Sequence, residues 1–145
     1  MSGRLTVWGA SQLLTSYFIK KTIPPPNFYV ALIRTAAPTP YLSGSELDEP
    51  DNADYARMLI ENDSMSWGND SQPQEISNLL DVEFPAAVSD WGDIRYWALC
   101  NAAVDGFNFL VGELETPVQV MTGDQVMFAE GDLSVELGPF FMEAG

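Results

Sequence analysis

Hydrophobic and polar positions follow two rhythms along this chain, and the change comes near residue 23. Before it, Ala10, Leu13, Leu14, Tyr17 and Phe18 recur at the i, i+3, i+4, i+7, i+8 spacing of one helix face, with Thr6 placed to cap the N-terminus. The spacing predicts a helix over about residues 7–20, with Lys20 and Lys21 at the end where the helix dipole favours cations. Ile23 and the run Pro24-Pro25-Pro26 stop it, because proline offers no N–H and pushes its predecessor out of the helical region.

After the prolines the pattern is that of strands. FYVALIR (28–34) is a continuous apolar run, as expected of a strand covered on both faces, and YARMLI (55–60) is a second. In NLLDVEF (78–84), Leu80, Val82 and Phe84 alternate with Asp81 and Glu83, the period of a half-buried strand. IRYWALC (94–100) and FNFLVGEL (107–114) flank the turn pair Asp105-Gly106. PVQVM (117–121), QVMFA (125–129) and DLSVEL (132–137) follow at short intervals. About eight short strands with frequent turns predict a mainly β fold, an antiparallel, jelly-roll-like β-sandwich with one N-terminal helix. Within SDWGDIRYWALCNA (89–102), strict alternation puts Ile94, Tyr96, Ala98 and Cys100 on one face and Arg95, Trp97 and Leu99 on the other.

Two stretches rich in Pro, Gly, Ser, Asn and Asp interrupt the strands, at 35–54 and 61–77. Both are long for loops inside a compact domain. The core needs strands from both sides of each, so residues 1–145 read as one domain with two excursions.

Charge sharpens this picture. Residues 1–34 carry Arg4, Lys20, Lys21 and Arg34 and no acid, a net of +4; the remainder carries Arg57 and Arg95 against all 21 acids, a net of −19, which together give −15. So negative a surface repels phosphate backbones, which argues against a nucleic-acid partner. The helix with Arg4, Lys20 and Lys21 is a candidate docking arm for an acidic partner, while solubility alone also explains the excess of acid. Nothing approaches the roughly 18 consecutive apolar residues of a membrane span, and no signal peptide is evident, so synthesis and folding in a cytoplasm are expected.

The residue inventory leaves little room for catalysis. With no histidine, the usual general base, the Ser-His and Cys-His nucleophile pairs and the commonest metal ligand are all missing. A single cysteine makes no internal disulfide and no zinc site, and Cys100, ending an apolar strand, reads as a small buried hydrophobe. No Gly-rich phosphate loop, GxSxG or dinucleotide fingerprint occurs, and no cofactor is expected. The carboxylate pairs Glu113/Glu115 and Asp90/Asp93 have the residue types of a glycosidase, but among 21 acids such pairs arise by chance. Asp48, Asp51 and Asp54 in DEPDNAD (48–54) are a weak calcium candidate that lacks the EF-hand glycine and distal glutamate. Trp67, in a polar stretch, is a candidate partner-contact residue, whereas Trp97 falls in a core strand. Arg57 and Arg95 are expected to pair internally with carboxylates.

Several segments taken in order carry a resemblance: LTVWGASQLLTSYF, PPPNFYVALIRTAAPTP, GSELDEPDNADYAR, LLDVEFPAAVSDWGDIRYWALCNA and GELETPVQVMTGDQVMFAEGDLSVELG. Their order and spacing resemble a family of small virion structural proteins of tailed bacteriophages, most of all the minor tail proteins of phages that infect actinobacteria. The resemblance implies a non-enzymatic structural protein of the virion tail, at the tail tip or baseplate. It would contact other tail proteins and assemble as a homo-oligomer, with the trimer a common phage arrangement. It supplies no catalytic residues. A capsid decoration protein and a host-surface carbohydrate-binding module using Trp67 and residues 35–54 are the competing readings, with a cell-wall hydrolase behind them.

Overall fold

The computed structural model describes residues 1–35, 37–39, 43–69 and 74–137. In chain order the first elements are β1 (Ser2–Leu5), helix α1 (Val7–Tyr17), β2 (Asn27–Ile33), β3 (Met58–Glu61), β4 (Trp67–Gly68) and β5 (Glu75–Asn78). The remainder are β6 (Val82–Glu83), β7 (Gly92–Cys100), β8 (Asn108–Val120), β9 (Met127–Phe128) and β10 (Ser134–Glu136). Eight strands make one curled sheet in the order β3-β2-β7-β8-β1-β10-β5-β4, and β6 pairs with β9. The sheet is antiparallel except where β1 runs parallel to β10. The fold is thus mainly β and sandwich-like with an N-terminal helix, as the patterning predicts.

The apolar run at 28–34 is covered on both faces. Val30 and Leu32 enter the main core with Trp97, Leu99, Phe84, Trp91 and Leu133. Ala31 and Ile33 enter a second cluster with Ala98 and Cys100, roofed by Leu47 from the first excursion. Each layer of side chains therefore faces apolar partners on its own side of β2, and Val30, Ala31, Leu32 and Ile33 are all fully buried.

Trp97 fixes the spacing of the central strands. Its ring lies against the backbones of two neighbours, and a Cβ at Gly112 would fall 2.3 Å from its Nε1, one at Gly3 2.8 Å from its Cη2. Glycine at both positions is a matter of room rather than of backbone conformation. Trp97 is fully buried, and its indole N–H has no hydrogen-bond partner among the described residues.

Four sequence expectations change. FNFLVGEL and PVQVM form one strand, β8, because the pairing with β7 continues to Val120. Pro117 is tolerated there because a register shift lies between Ile94 and Tyr96, where pairing jumps from Val118 to Glu113. That bulge also resets the alternation of β7. Ile94 joins Trp97 and Leu99 in the main core, while Tyr96 packs with Ala98 and Cys100 on the other face. The stretch 61–77, read as a loop, supplies β4 and most of β5 to the sheet, with residues 70–73 outside the described residues. In NLLDVEF, of the three alternating apolar positions only Val82 and Phe84 are buried and Leu80 is 54% exposed. The interruption is Asn78: its amide donates to Leu80 O (2.8 Å) and Ala129 O (3.0 Å) and accepts from Leu133 N–H (2.9 Å), pinning the chain before β6 can start.

Gly112→Ala is expected to lower stability in urea by about 1–3 kcal/mol, the cost of overpacking a filled core. Adding Trp97→Phe, which removes the atoms nearest the new methyl, is expected to make the pair less destabilising than the sum of the two single changes. Additive losses would show that Trp97 does not set this strand spacing.

Candidate interaction surfaces

Helix α1 begins as its sequence predicts. Thr6 Oγ1 accepts the N–H of Gly9 (3.0 Å), donates to Asn108 O, and Thr6 N–H donates to Phe109 O (3.1 Å), so the cap also ties the helix to the start of β8. Gly9 makes the close approach possible, since a Cβ there would sit 2.2 Å from Phe109 O. Trp8 then stacks on Phe107 with centroids 5.2 Å apart and meets Phe109 edge-on.

Only this first turn is anchored. The apolar stripe that predicts the helix lies largely in solvent, with Leu14 56%, Tyr17 75% and Phe18 73% exposed. Gly9 is the one buried helix residue. The helix ends at Tyr17, earlier than the predicted Lys20, so Lys20 and Lys21 stand beyond its last turn rather than in it. Lys20 takes a left-handed φ of 51°, and Lys21 N–H returns to Thr15 O (3.0 Å), turning the chain back. Ile19 and Ile23 follow, both well exposed. A run of uncovered apolar side chains closing on two lysines is a departure from a surface that needs no partner.

The first excursion is built as a clasp rather than an open loop; its residues 36 and 40–42 lie outside the described residues. Arg57, with its side chain 3% exposed, donates to Glu49 (Nε–Oε1 2.7 Å) and to the carbonyls of Gly44, Ala102 and Asp105. Burial works against its charge, but the Glu49 hydrogen bond and nearby charges hold its pKa above the ordinary guanidinium value. Tyr55 OH donates to Glu49 (3.1 Å) and accepts Leu32 N–H (2.9 Å), satisfying a β2 donor beyond the end of the β2–β3 pairing. Burial, with Glu49 beside it, raises the Tyr55 pKa. Arg57 thus finds the expected internal partner, whereas Arg95 is exposed and pairs with no carboxylate among the described residues. Cys100 lies behind the clasp, where burial pushes its thiol up to about 12, and it is a packing residue there.

The structure does not gather the calcium candidates. Asp48 pairs with Arg34 (3.0 Å), Asp51 is exposed, and Asp54 serves the neighbouring turn. Asp54 accepts from Ser89 Oγ (2.6 Å), Val88 N–H (2.8 Å) and Trp91 Nε1 (3.0 Å), hydrogen bonds that hold its carboxyl down to about 2. Among the described residues no group of three carboxylates or thiols is arranged to hold a metal ion. Glu113, Glu115, Asp90 and Asp93 are all exposed, so none is a carboxyl withdrawn from water, as a general acid requires.

The sequence-predicted contact residues fall in separate places. Arg4 is exposed on β1, beside a concavity of about 500 Å³ shared with Pro38, Tyr96 and Glu113. Lys20 and Lys21 stand past the other end of α1. Trp67 is half-buried in β4, donates to Glu61 O (3.0 Å) and packs on the main core. It walls a narrow cleft of about 130 Å³ that shares Ile76, Phe109 and Val135 with a second groove of about 410 Å³. That groove, bordered by Leu5, Leu13 and Leu137, runs along α1. Sequence patterning predicts the helix face but not this groove, because Ile76, Val135 and Phe109 come together only through the sheet order β8-β1-β10-β5.

A β domain with satisfied internal polar clusters and one uncovered apolar helix has the features of a protein that works by contact. Comparison with known families agrees: residues 4–136 match the model of the family described as Podophage GP4 fiber I protein gp80. The chain belongs to that family and is a phage structural protein of the fibre type. No curated protein matches the chain. The match speaks to the phage structural class and not to actinobacterial hosts. No helix among the described residues is long and apolar enough to cross a membrane.

The Asp54 cluster yields a pH signature. Because its folded pKa lies below the ordinary carboxylate value, its contribution to stability is present above about pH 4 and is lost as pH falls towards about 2. Melting curves of the wild type and of Asp54→Asn are expected to lie apart at neutral pH and to converge over that window. A gap that persists unchanged to pH 2 would show that the Asp54 carboxylate is not what secures the turn at Trp91.

Proposed function

We propose that this protein is a non-enzymatic building block of the phage tail, a minor component of the tail tip or baseplate region that assembles as an oligomer and contacts other tail proteins. The observation that carries the reading is the N-terminal arm. Residues 7–23 put an exposed apolar stripe and two lysines on a domain whose remaining sequence is net −17. Membership of a family described by a fibre protein supports a place in the virion tail. Arg4, Lys20, Lys21 and Trp67, which walls the narrow cleft, are the contact residues, with Arg57 and Asp54 holding the frame behind them. An acidic surface suits contact with protein rather than with nucleic acid.

Immunogold labelling of purified virions with antibody against this chain tests the reading. Gold on the tail is the expected result. Gold distributed over the capsid shell would favour a decoration protein, and its absence from virions would remove the structural role.

A further inference from the structure

We infer that the strap at residues 43–49, the turn at residues 101–107 and the first turn of α1 open and close as one unit locked by Arg57, so that a change at α1 is felt at Cys100. The coupling is a property of the single chain and holds whatever partner the helix meets.

The strap is held more by polar ties than by apolar burial. Leu47 is its one large apolar residue, and it packs on the cluster of Ala31, Ile33, Ala98 and Cys100. The other fastenings are Arg34 to Asp48 (backbone N–O 2.7 Å, Nη2–Oδ1 3.0 Å) and Arg57, which grips Gly44 O (3.1 Å) and Glu49. The same guanidinium holds the turn, through Ala102 O (2.8 Å) and Asp105 O (2.9 Å). Its side chain is shut away from water, so releasing either side leaves a buried charge short of partners. Loss of the strap therefore costs the turn its lock as well.

The turn passes this on to the helix. Gly44 N–H donates to Gly106 O (2.9 Å), Ser43 bridges to Phe107, and a Cβ at Gly44 would collide with Asp105 O. Phe107 is fastened to Asn101, whose N–H donates to Phe107 O (3.1 Å) and whose Oδ1 accepts Phe107 N–H (2.8 Å). Its ring carries Trp8, stacked at 5.2 Å with the planes 12° apart. A residue joined to the strap through its backbone and to α1 through its ring belongs to both. Segments with few buried apolar contacts open below the global cost, in contiguous cooperative units. Cys100, at the foot of the turn, reports that opening. It is the only cysteine, fully buried, and with its thiol pushed up to about 12 it stays protonated at neutral pH while the unit is closed.

The rate at which dithiobis-nitrobenzoate labels Cys100 in the native full chain tests the coupling. Trp8→Ala, outside the cluster that holds Cys100, is expected to speed labelling about fivefold, the scale of one lost aromatic stack. Trp8→Phe, which keeps a stacking ring, is expected to stay near the wild-type rate. Arg57→Lys, which keeps the charge but not the fork, is expected to speed labelling at least about tenfold. Val126→Ala, at the cleft with Ile94, Leu114 and Phe128, controls for a general loss of stability: its melting temperature is expected to fall while labelling is unchanged. Labelling indifferent to Trp8→Ala overturns the coupling, because the strap then opens without α1. Labelling indifferent to Arg57→Lys overturns the lock. A rate that follows melting temperature in every variant, Val126→Ala included, overturns the proposal whole, since Cys100 would then be reached only by global unfolding.

Discussion

One buried indole sets the terms for the rest of this fold. Trp97 on β7 lies across the backbones of β8 and β1, and only glycine at positions 112 and 3 leaves it room. β1, which pairs with β8 on one side and β10 on the other, is thereby seated at the middle of the sheet. That position brings β10 and β5 alongside and closes the main core between Phe28 at one end of the sheet and Leu133 near the other. It also decides where α1 goes, because the helix follows β1 directly and is pinned by Thr6 and Gly9 to the start of β8. The groove beside the helix is a by-product of the same strand order.

Polar chemistry in this protein is spent on holding strands and turns together. Arg57 gathers three backbone carbonyls and Glu49, Asp54 gathers three donors, and Asn78 bonds to three backbone groups. Each is a residue type that suggests catalysis or metal binding when met in a sequence, and each is occupied internally. Exposed large apolar side chains, by contrast, are scattered singly over much of the surface but follow one another closely along and just past α1, at Leu13, Leu14, Tyr17, Phe18, Ile19 and Ile23. Membership of a phage fibre family and this division of labour agree with a molecule whose work is contact.

Much of this was legible in the sequence where local periodicity and burial coincide. The helix start at Thr6, the doubly covered run 28–34 and the core role of Trp97 and Cys100 all follow from patterning. What patterning missed has physical causes. β1 is four residues with a glycine, too short to carry a period, and is held only by its neighbours. The irregularity at Pro117 moves Ile94 to the face of Trp97 and Leu99 on β7, which strict alternation cannot foresee. β4 and β5 arise from a polar stretch because Asn78 bonds across to Ala129 and Trp67 packs on the main core. At the candidate surface, the spacing of Leu13, Leu14, Tyr17 and Phe18 identifies a helix face but does not say whether that face is buried. The charge asymmetry was the signal that pointed outward.

Hydrogen–deuterium exchange of α1 in the isolated dilute chain and in the assembled virion tests the central claim, that this helix is an interface held open for a partner. The amides past the anchored first turn are expected to exchange quickly in the dilute chain, where local opening is easy, and to become protected on assembly. Equal exchange of residues 11–18 in both states would mean that the exposed stripe stays exposed, and the account of this protein as a contact molecule working through α1 would be wrong.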